Sequence, residues 1–253
     1  MLGITFGGVH SDIHGIVVRS VDRTMLPNLS RRQAYIPNKH GSYDFNGNTY
    51  QNRSISMVMS YIGSTIVNMR SVNRDIANWL SSDSYKELIF DDEPGVYYLA
   101  RLFDSVNIDS RKRRSKSNVV FECLPFAFSI SEGSESKEVT GADSITITYG
   151  GTIELGLGSP QESLFSISAD GTFTTLTLVL NGITLNYTAA ISSEELIIDN
   201  INATAEVDGV NKLTEVTGDT GLFLRLIEGA NVLAITGSDL NCTVTVTYRE
   251  QYL

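Results

Sequence analysis

Four runs in the second half of the chain alternate between apolar and polar residues, with threonine as the commonest polar member. Runs of period 2 predict antiparallel strands that bury one face and expose the other. They are Ile145–Tyr149, Leu176–Leu180, Ile183–Tyr187 and Cys242–Tyr248. Since no helical period interrupts them, many short strands joined by turns predict a β-sandwich.

Turn dipeptides separate these runs. Asn181-Gly182 stands between two of them, and it favours a two-residue hairpin because both central residues of a type I′ turn need positive φ. Asp170-Gly171 and Asp208-Gly209 predict two further hairpins on the same reasoning.

The first half is predicted to be mainly β as well. Strand patterns occur at Leu2–Val9 and at Gly15–Val18, and turn residues follow at Asn46-Gly47-Asn48 and at Asp91–Gly95. One segment differs, Ser71–Ser81, where apolar residues recur with helical spacing opposite polar ones. That spacing predicts a single amphipathic helix; its apolar positions are Val72, Ile76, Trp79 and Leu80.

Charge divides the chain in two. Residues 1–133 carry 15 Lys and Arg against 13 Asp and Glu, a net of +2, whereas residues 134–253 carry 4 against 16, a net of −12. A Ser/Glu/Gly stretch at Ser129–Glu138 has the composition of a linker or an exposed turn. We therefore predict two domains, 1–133 and 134–253, and the acidic one disfavours nucleic-acid binding.

Candidate chemistry is sparse. The only histidines are His10, His14 and His40, without the spacing of a zinc site, and the G-x-S-x-G elbow of many serine hydrolases is missing. Paired carboxylates at Glu194-Glu195 and at Asp91–Glu93 leave glycoside hydrolysis open by residue type, but adjacent carboxylates on a strand point to opposite faces. We interpret them as solvated charges, and predict no catalytic residue, no metal and no cofactor.

The two cysteines, Cys123 and Cys242, fall in different predicted domains. We expect buried thiols that pack as small apolar groups, without a disulfide. No apolar run approaches the ~18 residues of a membrane span, and the N-terminus lacks the design of a secretory signal. We expect a soluble protein made without export.

Sugar binding is the main alternative to a structural role, since β-sandwiches are common lectin scaffolds. Pyranose rings stack best on tryptophan, yet the sole tryptophan, Trp79, lies in the predicted helix of the other domain. The aromatic residues of the second domain mostly occupy alternating strand positions, which predicts that they are core: Tyr149, Phe165, Phe173, Tyr187, Phe223 and Tyr248.

One dense basic run stands between two strand patterns of the first domain. It comprises Arg111, Lys112, Arg113, Arg114 and Lys116. One interpretation is an exposed hairpin tip whose like charges are simply solvated. The other is an electrostatic contact with an acidic neighbouring subunit or, less favoured, with passing DNA.

The first domain resembles the N-terminal domain of the distal tail (Dit) proteins of siphophages that infect Gram-positive hosts, particularly those of Bacillus. The matching segments are His14–Val18, Arg31-Arg32-Gln33, Ile36-Pro37, Gly41–Phe45, Leu88–Arg101 and Phe121–Ala127. Beyond residue 133 the similarity is one of style, namely strand, turn, strand, and that domain faintly resembles galectin-like and carbohydrate-binding modules.

The resemblance implies a structural protein and no enzyme. The N-terminal domains would build a homo-hexameric ring, with the C-terminal β-sandwiches projecting outward. The ring would join the major tail tube protein to a tail-associated lysin or fibre-type hub protein, with a central pore for DNA and no sequence-specific binding to it. Its place would be the distal end of the virion tail, after assembly in the host cytoplasm and without membrane contact. The alternative is an adsorption module that binds host cell-wall glycan.

Overall fold

The computed structural model describes residues 3–45, 49–62, 65–104, 106, 108–111, 114–160, 162–218 and 223–253. It is mainly β, with one α-helix among the described residues. The chain forms two compact units: residues 1–127 with Leu253, and residues 128–252. The predicted fold class, two β-rich domains with a single helix in the first, is confirmed.

The strands of the first unit share one main sheet, apart from two short ribbons. They are β1 (Ile4–Phe6), β2 (Val9–His10), β3 (Ile16–Arg23), β4 (Leu29–Ser30), β5 (Gln33–Tyr35), β6 (Ser42–Asp44), β7 (Thr49–Tyr50), β8 (Arg53–Ile62), β9 (Lys86–Phe90), β10 (Glu93–Leu102), β11 (Ile108–Arg111) and β12 (Arg114–Ser129). The main sheet has the order β2-β1-β9-β10-β12-β8-β3, with β11 paired to β12. One face of it is apolar because alternate side chains of its long strands, such as Met57 and Phe121, are fully buried.

The helix α1 spans Ile66–Leu80 and begins five residues before the predicted segment. Its start is set by Thr65, whose hydroxyl accepts a hydrogen bond from the Asn68 amide at 3.1 Å, the usual N-cap arrangement. The predicted apolar face is confirmed at Ile76, Trp79 and Leu80, which are buried. Trp79 fixes the helix to the unit by donating its indole N–H to the Phe6 carbonyl at 3.0 Å.

Residues 24–45 and 49–52, between β3 and β8, lie outside the main sheet and form what we call the arm. It contains two short antiparallel ribbons, β4 with β7 and β5 with β6. The predicted turn at Asn46-Gly47-Asn48 belongs to this segment but lies outside the described residues.

The second unit is a β-sandwich, as predicted. The strands of its two sheets are β13 (Gly133–Val139), β14 (Asp143–Tyr149), β15 (Phe165–Phe173), β16 (Thr175–Leu180), β17 (Ile183–Tyr187), β18 (Ile191–Asp199), β19 (Thr204–Val207), β20 (Val210–Asn211), β21 (Val216–Gly218), β22 (Gly229–Ser238) and β23 (Asn241–Tyr248). A last short strand, β24 (Gln251–Tyr252), belongs to neither of these sheets and pairs with β12. One sheet has the order β13-β23-β15-β18-β19-β20 and the other β14-β22-β16-β17-β21. The inward residues of both sheets form one apolar core.

Two of the three predicted hairpin turns are confirmed. Asn181 and Gly182, with φ of 50° and 81°, join β16 to β17, and Asp208-Gly209, with φ of 48° and 76°, joins β19 to β20. The hairpin predicted at Asp170-Gly171 is wrong, because both residues lie inside β15. Gly171 is instead at a β-bulge, with φ of 140°, where a Cβ atom would come within 2.5 Å of a backbone carbonyl.

The predicted linker is also different. Strand β12 runs on to Ser129, and β13 begins at Gly133 and pairs with β23 over seven residues. The two units divide between Ala127 and Phe128, six residues before the predicted boundary. The Ser/Glu composition has another cause: β13 is an edge strand whose side chains from Ser134 to Glu138 are all exposed, and polar edges are common in β proteins.

Candidate interaction surfaces

The basic run lies at the end of the β11–β12 hairpin. The two strands pair from Ile108↔Ser117 to Arg111↔Arg114, so the run is at a hairpin tip, as one of the two interpretations required. Lys112, Arg113 and the Arg111 side chain lie outside the described residues. Arg114 and Lys116 are described, and both are exposed.

These two cations line a groove of about 520 Å³ on the first unit, which we call the basic groove. Its lining also includes Arg19, Asp109, Val58 and Ser60. Strand register explains the convergence, because Lys116 on β12 is opposite Ser60 on β8, and Ser60 is opposite Val17 on β3.

Arg19 is the member that sequence reasoning missed. The register of β3 against β8 shifts between Val18 and Ser20, so a bulge leaves Arg19 without an opposite residue. Its Nε donates to Ser60 Oγ at 2.8 Å, which orients the guanidinium at the groove. No local signal marks this bulge, and about 95 positions separate Arg19 from the basic run.

Charge pairing among the described residues leaves the basic groove positive. Within the described residues, Arg19, Arg114 and Lys116 form no ion pair, whereas Arg101 is 2.6 Å from Glu122 and Arg225 is 2.7 Å from Glu154. The groove therefore presents three positive side chains against the single carboxylate of Asp109, a local surplus of positive charge that suits an anionic partner.

The arm is the second notable surface, because it exposes large apolar side chains. Met25, Tyr35 and Phe45 are 93%, 81% and 63% exposed, and Leu26, Ile36 and Tyr43 are exposed as well. A two-stranded ribbon is at best marginally stable in water, and contiguous exposed apolar residues mark interaction sites on soluble proteins. The exposed apolar side chains of the arm thus make it a candidate contact surface for a partner.

The histidines are not brought together. His10 lies between Asp12 and Asp91, at 2.6 and 3.1 Å, and hydrogen bonding to Asp12 in particular raises its pKa. His14 packs on the Trp79 ring with centroids 5.0 Å apart, and His40 is exposed on the arm. No group of three or more metal-ligating side chains occurs in the described part of the chain.

The paired carboxylates have separate surroundings. Glu194 and Glu195 are exposed on β18, as expected for solvated charges. Asp92 and Glu93, at the β9–β10 turn, both pair with Arg23, whose guanidinium lies 3.9 Å from the centre of the Phe90 ring. These carboxylates hold strands together, a role that sequence reasoning missed because the partner is about 70 residues away.

The aromatic residues of the second unit are core, as predicted. All six proposed from the strand pattern are at most 8% exposed; Tyr149 and Tyr248, for example, meet edge to face at 6.0 Å. They therefore present no ring for a sugar to stack on, which removes the main structural support for the glycan-binding alternative.

The thiols are buried and unpaired, as predicted. Burial raises the pKa of Cys123 to about 12, so it is protonated and unreactive in the folded protein. No helix among the described residues has the length and apolar character needed to cross a membrane.

Comparisons with known proteins agree with both units. A family model described as a phage tail protein RIFT-related domain matches residues 11–123, and one described as the C-terminal domain of a siphovirus-type tail component matches residues 159–252. A search of curated proteins gave no match.

Two solved structures align along almost the whole chain. The crystal structure of the Dit protein of phage SPP1, titled a paradigm of the hub adsorption apparatus in phages infecting Gram-positive hosts, is similar with a TM-score of 0.75 and 14% identity. That alignment covers 98% of this chain and 99% of the other, and it shows a shared fold. A structure from the activated baseplate of phage p2 aligns over 98% of this chain and 97% of its own, with 11% identity and a TM-score of only 0.39.

Proposed function

The chain belongs to the siphophage distal tail (Dit) proteins, structural components of the virion tail, and from this premise we propose that it is the ring-forming hub at the distal end of the tail. Six copies close head to tail through their first units, around a pore wide enough for DNA. The hub connects the tail tube protein to the proteins of the tail tip, and it assembles in the host cytoplasm.

The arm carries this proposal. A cyclic head-to-tail assembly needs two different, complementary surfaces on each copy. It forms a closed ring when the rotation that relates neighbouring copies divides a full turn into a whole number of steps. The exposed apolar side chains of the arm, headed by Met25, Tyr35 and Phe45, supply the first of these. The open edges of the main sheet at β2 and β3 supply unpaired backbone groups near which a neighbour can dock.

We also propose that the protein is a scaffold and not a catalyst. Its three histidines lie apart, the Cys123 thiol is buried and its pKa is raised to about 12, and the carboxylates at the β9–β10 turn are engaged with Arg23. We expect no turnover of peptidoglycan or teichoic acid. Sustained release of cell-wall fragments by the purified protein, abolished by Glu195→Gln or Asp92→Asn, would contradict this.

Electron microscopy in negative stain and analytical ultracentrifugation of the purified full-length protein test the ring. We expect closed rings of uniform diameter and a sedimenting species with six times the monomer mass at micromolar concentration. For a contact of micromolar affinity, rings should form well below about 100 μM protein. A protein that stays monomeric at about 100 μM would refute the proposal.

A further inference from the structure

The three cations of the basic groove, which form no ion pair with the described residues, suggest a contact with an anionic partner. Arg114 and Lys116 project from β12 and Arg19 from the bulge in β3, and all three reach the same groove without an ion pair to the described residues. Like charges gathered in this way repel one another over the ~8 to 10 Å that salt leaves unscreened, so their convergence costs stability unless an anionic group occupies the groove in the assembled state.

The second unit has a complementary surface. Along the outer side of the sheet that contains β23, register places Glu138 opposite Thr243, Thr243 opposite Asp170, and Asp170 opposite Glu195. Glu206 lies on the same side, opposite Ile197. We call this surface the acidic face; its four carboxylate residues, Glu138, Asp170, Glu195 and Glu206, are exposed and form no ion pair with the described residues.

Two details make the acidic face more than a solvated surface. Asp170 and Glu195 are direct cross-strand neighbours, and like charges in that position destabilise a sheet. The outer side of the opposite sheet is different. The outward-facing residues of its strands β14, β16 and β22 are all uncharged, for example Thr146, Thr177 and Val232. The outward side of the sheet that contains β23 thus carries four carboxylates, whereas the outward positions of these three strands of the other sheet carry none.

We propose that the basic groove of one copy receives the acidic face of a neighbouring copy. This inference rests on the proposed ring, in which each groove meets a different copy of the face and the contact repeats around the axis. The contact would pair the cations of the basic groove with the carboxylates of the acidic face.

Protein carboxylates fit the groove better than nucleic acid does. The groove is lined by three cations together with the Asp109 carboxylate and the apolar Val58, whereas DNA binding needs a continuous basic surface that follows many phosphates. A hub through which a genome passes also has no use for a site that retains it. An exposed ion pair strengthens association by about fivefold at most, so three of them account for about 100-fold per interface.

Charge exchange in the full-length protein tests the contact. The groove variant carries Arg114→Glu and Lys116→Glu, and the face variant carries Asp170→Lys and Glu195→Lys, which keeps the cross-strand repulsion within the sheet unchanged. We expect each variant alone to melt within about 2 °C of the wild type and to weaken ring assembly at least tenfold, and the combined variant to recover most of it. A control that pairs the groove variant with Thr146→Lys and Thr236→Lys, on the uncharged sheet, should recover nothing.

The outcomes separate the two proposals. If the wild-type protein forms no ring, the proposed function fails. If it forms rings that tolerate both single variants, or if the combined variant is as defective as either one, this inference alone is wrong. Binding of a labelled DNA duplex that the groove variant abolishes, with ring assembly unchanged, would assign the groove to nucleic acid and would equally refute the contact.

Discussion

Removing the exposed aromatic side chains of the arm should abolish assembly and leave the fold of each copy intact. Tyr35 and Phe45 are 81% and 63% exposed, so Tyr35→Ser and Phe45→Ser remove little that the isolated chain has buried. An aromatic side chain presents roughly 200 Å², and burial is worth about 25 cal/mol per Å². Covering the exposed part of both rings completely would therefore contribute about 7 kcal/mol per interface.

Interfaces cover such side chains only in part, and about half of that value, roughly 3.5 kcal/mol, is a realistic loss. It corresponds to a fall of about 300-fold in the association constant of each contact. Sedimentation velocity across a concentration series measures this fall, and urea unfolding at a concentration where both proteins are monomeric measures stability. We expect the unfolding free energy to change by less than about 0.5 kcal/mol.

Val232→Ser is the matched control, because Val232 is 53% exposed but lies on the sandwich of the second unit. It should change neither assembly nor stability. Rings that persist in the double arm variant at the wild-type midpoint concentration would refute the role of the arm. A loss of several kcal/mol in unfolding free energy would show that the arm contributes to the fold of the single copy instead.

Three further predictions concern the interior and the titrating groups. Asn231 is fully buried and makes four hydrogen bonds of 2.7 to 3.0 Å. Asn231→Ala should therefore lower the free energy of unfolding, measured in urea, by about 3 kcal/mol. A decrease below about 1 kcal/mol would show that water replaces these hydrogen bonds. The pKa of His10 is raised in the folded protein by its pairing with Asp12. This pairing stabilises the fold fully below the ordinary histidine pKa of 6.5, and the stabilisation is lost as pH rises through the pKa of the folded state. The melting temperature should therefore fall slightly from pH 5.5 to 8, and His10→Gln should remove that fall. Cys123 should react with a thiol reagent only after unfolding, since burial raises its pKa to about 12; rapid labelling of the native protein, with Cys123→Ala as the control, would contradict its burial.

Local signals predicted much of the fold because half-buried antiparallel strands are encoded residue by residue. The alternation predicted β14, β16, β17 and β23 to within two residues, and positive φ at Asn181 and Gly182 made one hairpin readable. The same signals failed where one residue type serves two purposes. Gly171 forms a bulge in place of a turn, and the polar stretch before Val139 is an exposed edge strand in place of a linker.

The interaction surfaces were only half predictable. The basic run is contiguous in sequence, so Arg114 and Lys116 could be identified as a cluster, whereas Arg19 joins them through a bulge and a register that involve three strands. The acidic face has the same origin, since Glu138, Asp170 and Glu195 become neighbours only when β13, β23, β15 and β18 pair. A sequence gives the total charge of a unit, but strand pairing decides which of its charged side chains share a face.

A comparison within one strand shows how the structure separates stabilising charge from charge available to a partner. Arg19 and Arg23 lie four residues apart on β3. Arg23 forms ion pairs with Asp92 and Glu93 and stacks on Phe90, so its charge is balanced within the unit. Among the described residues Arg19 donates to the Ser60 hydroxyl and forms no ion pair, so its guanidinium is oriented and keeps its charge available. The charge of Arg19 therefore remains available to an anionic group on a second molecule, whereas that of Arg23 is paired within the unit.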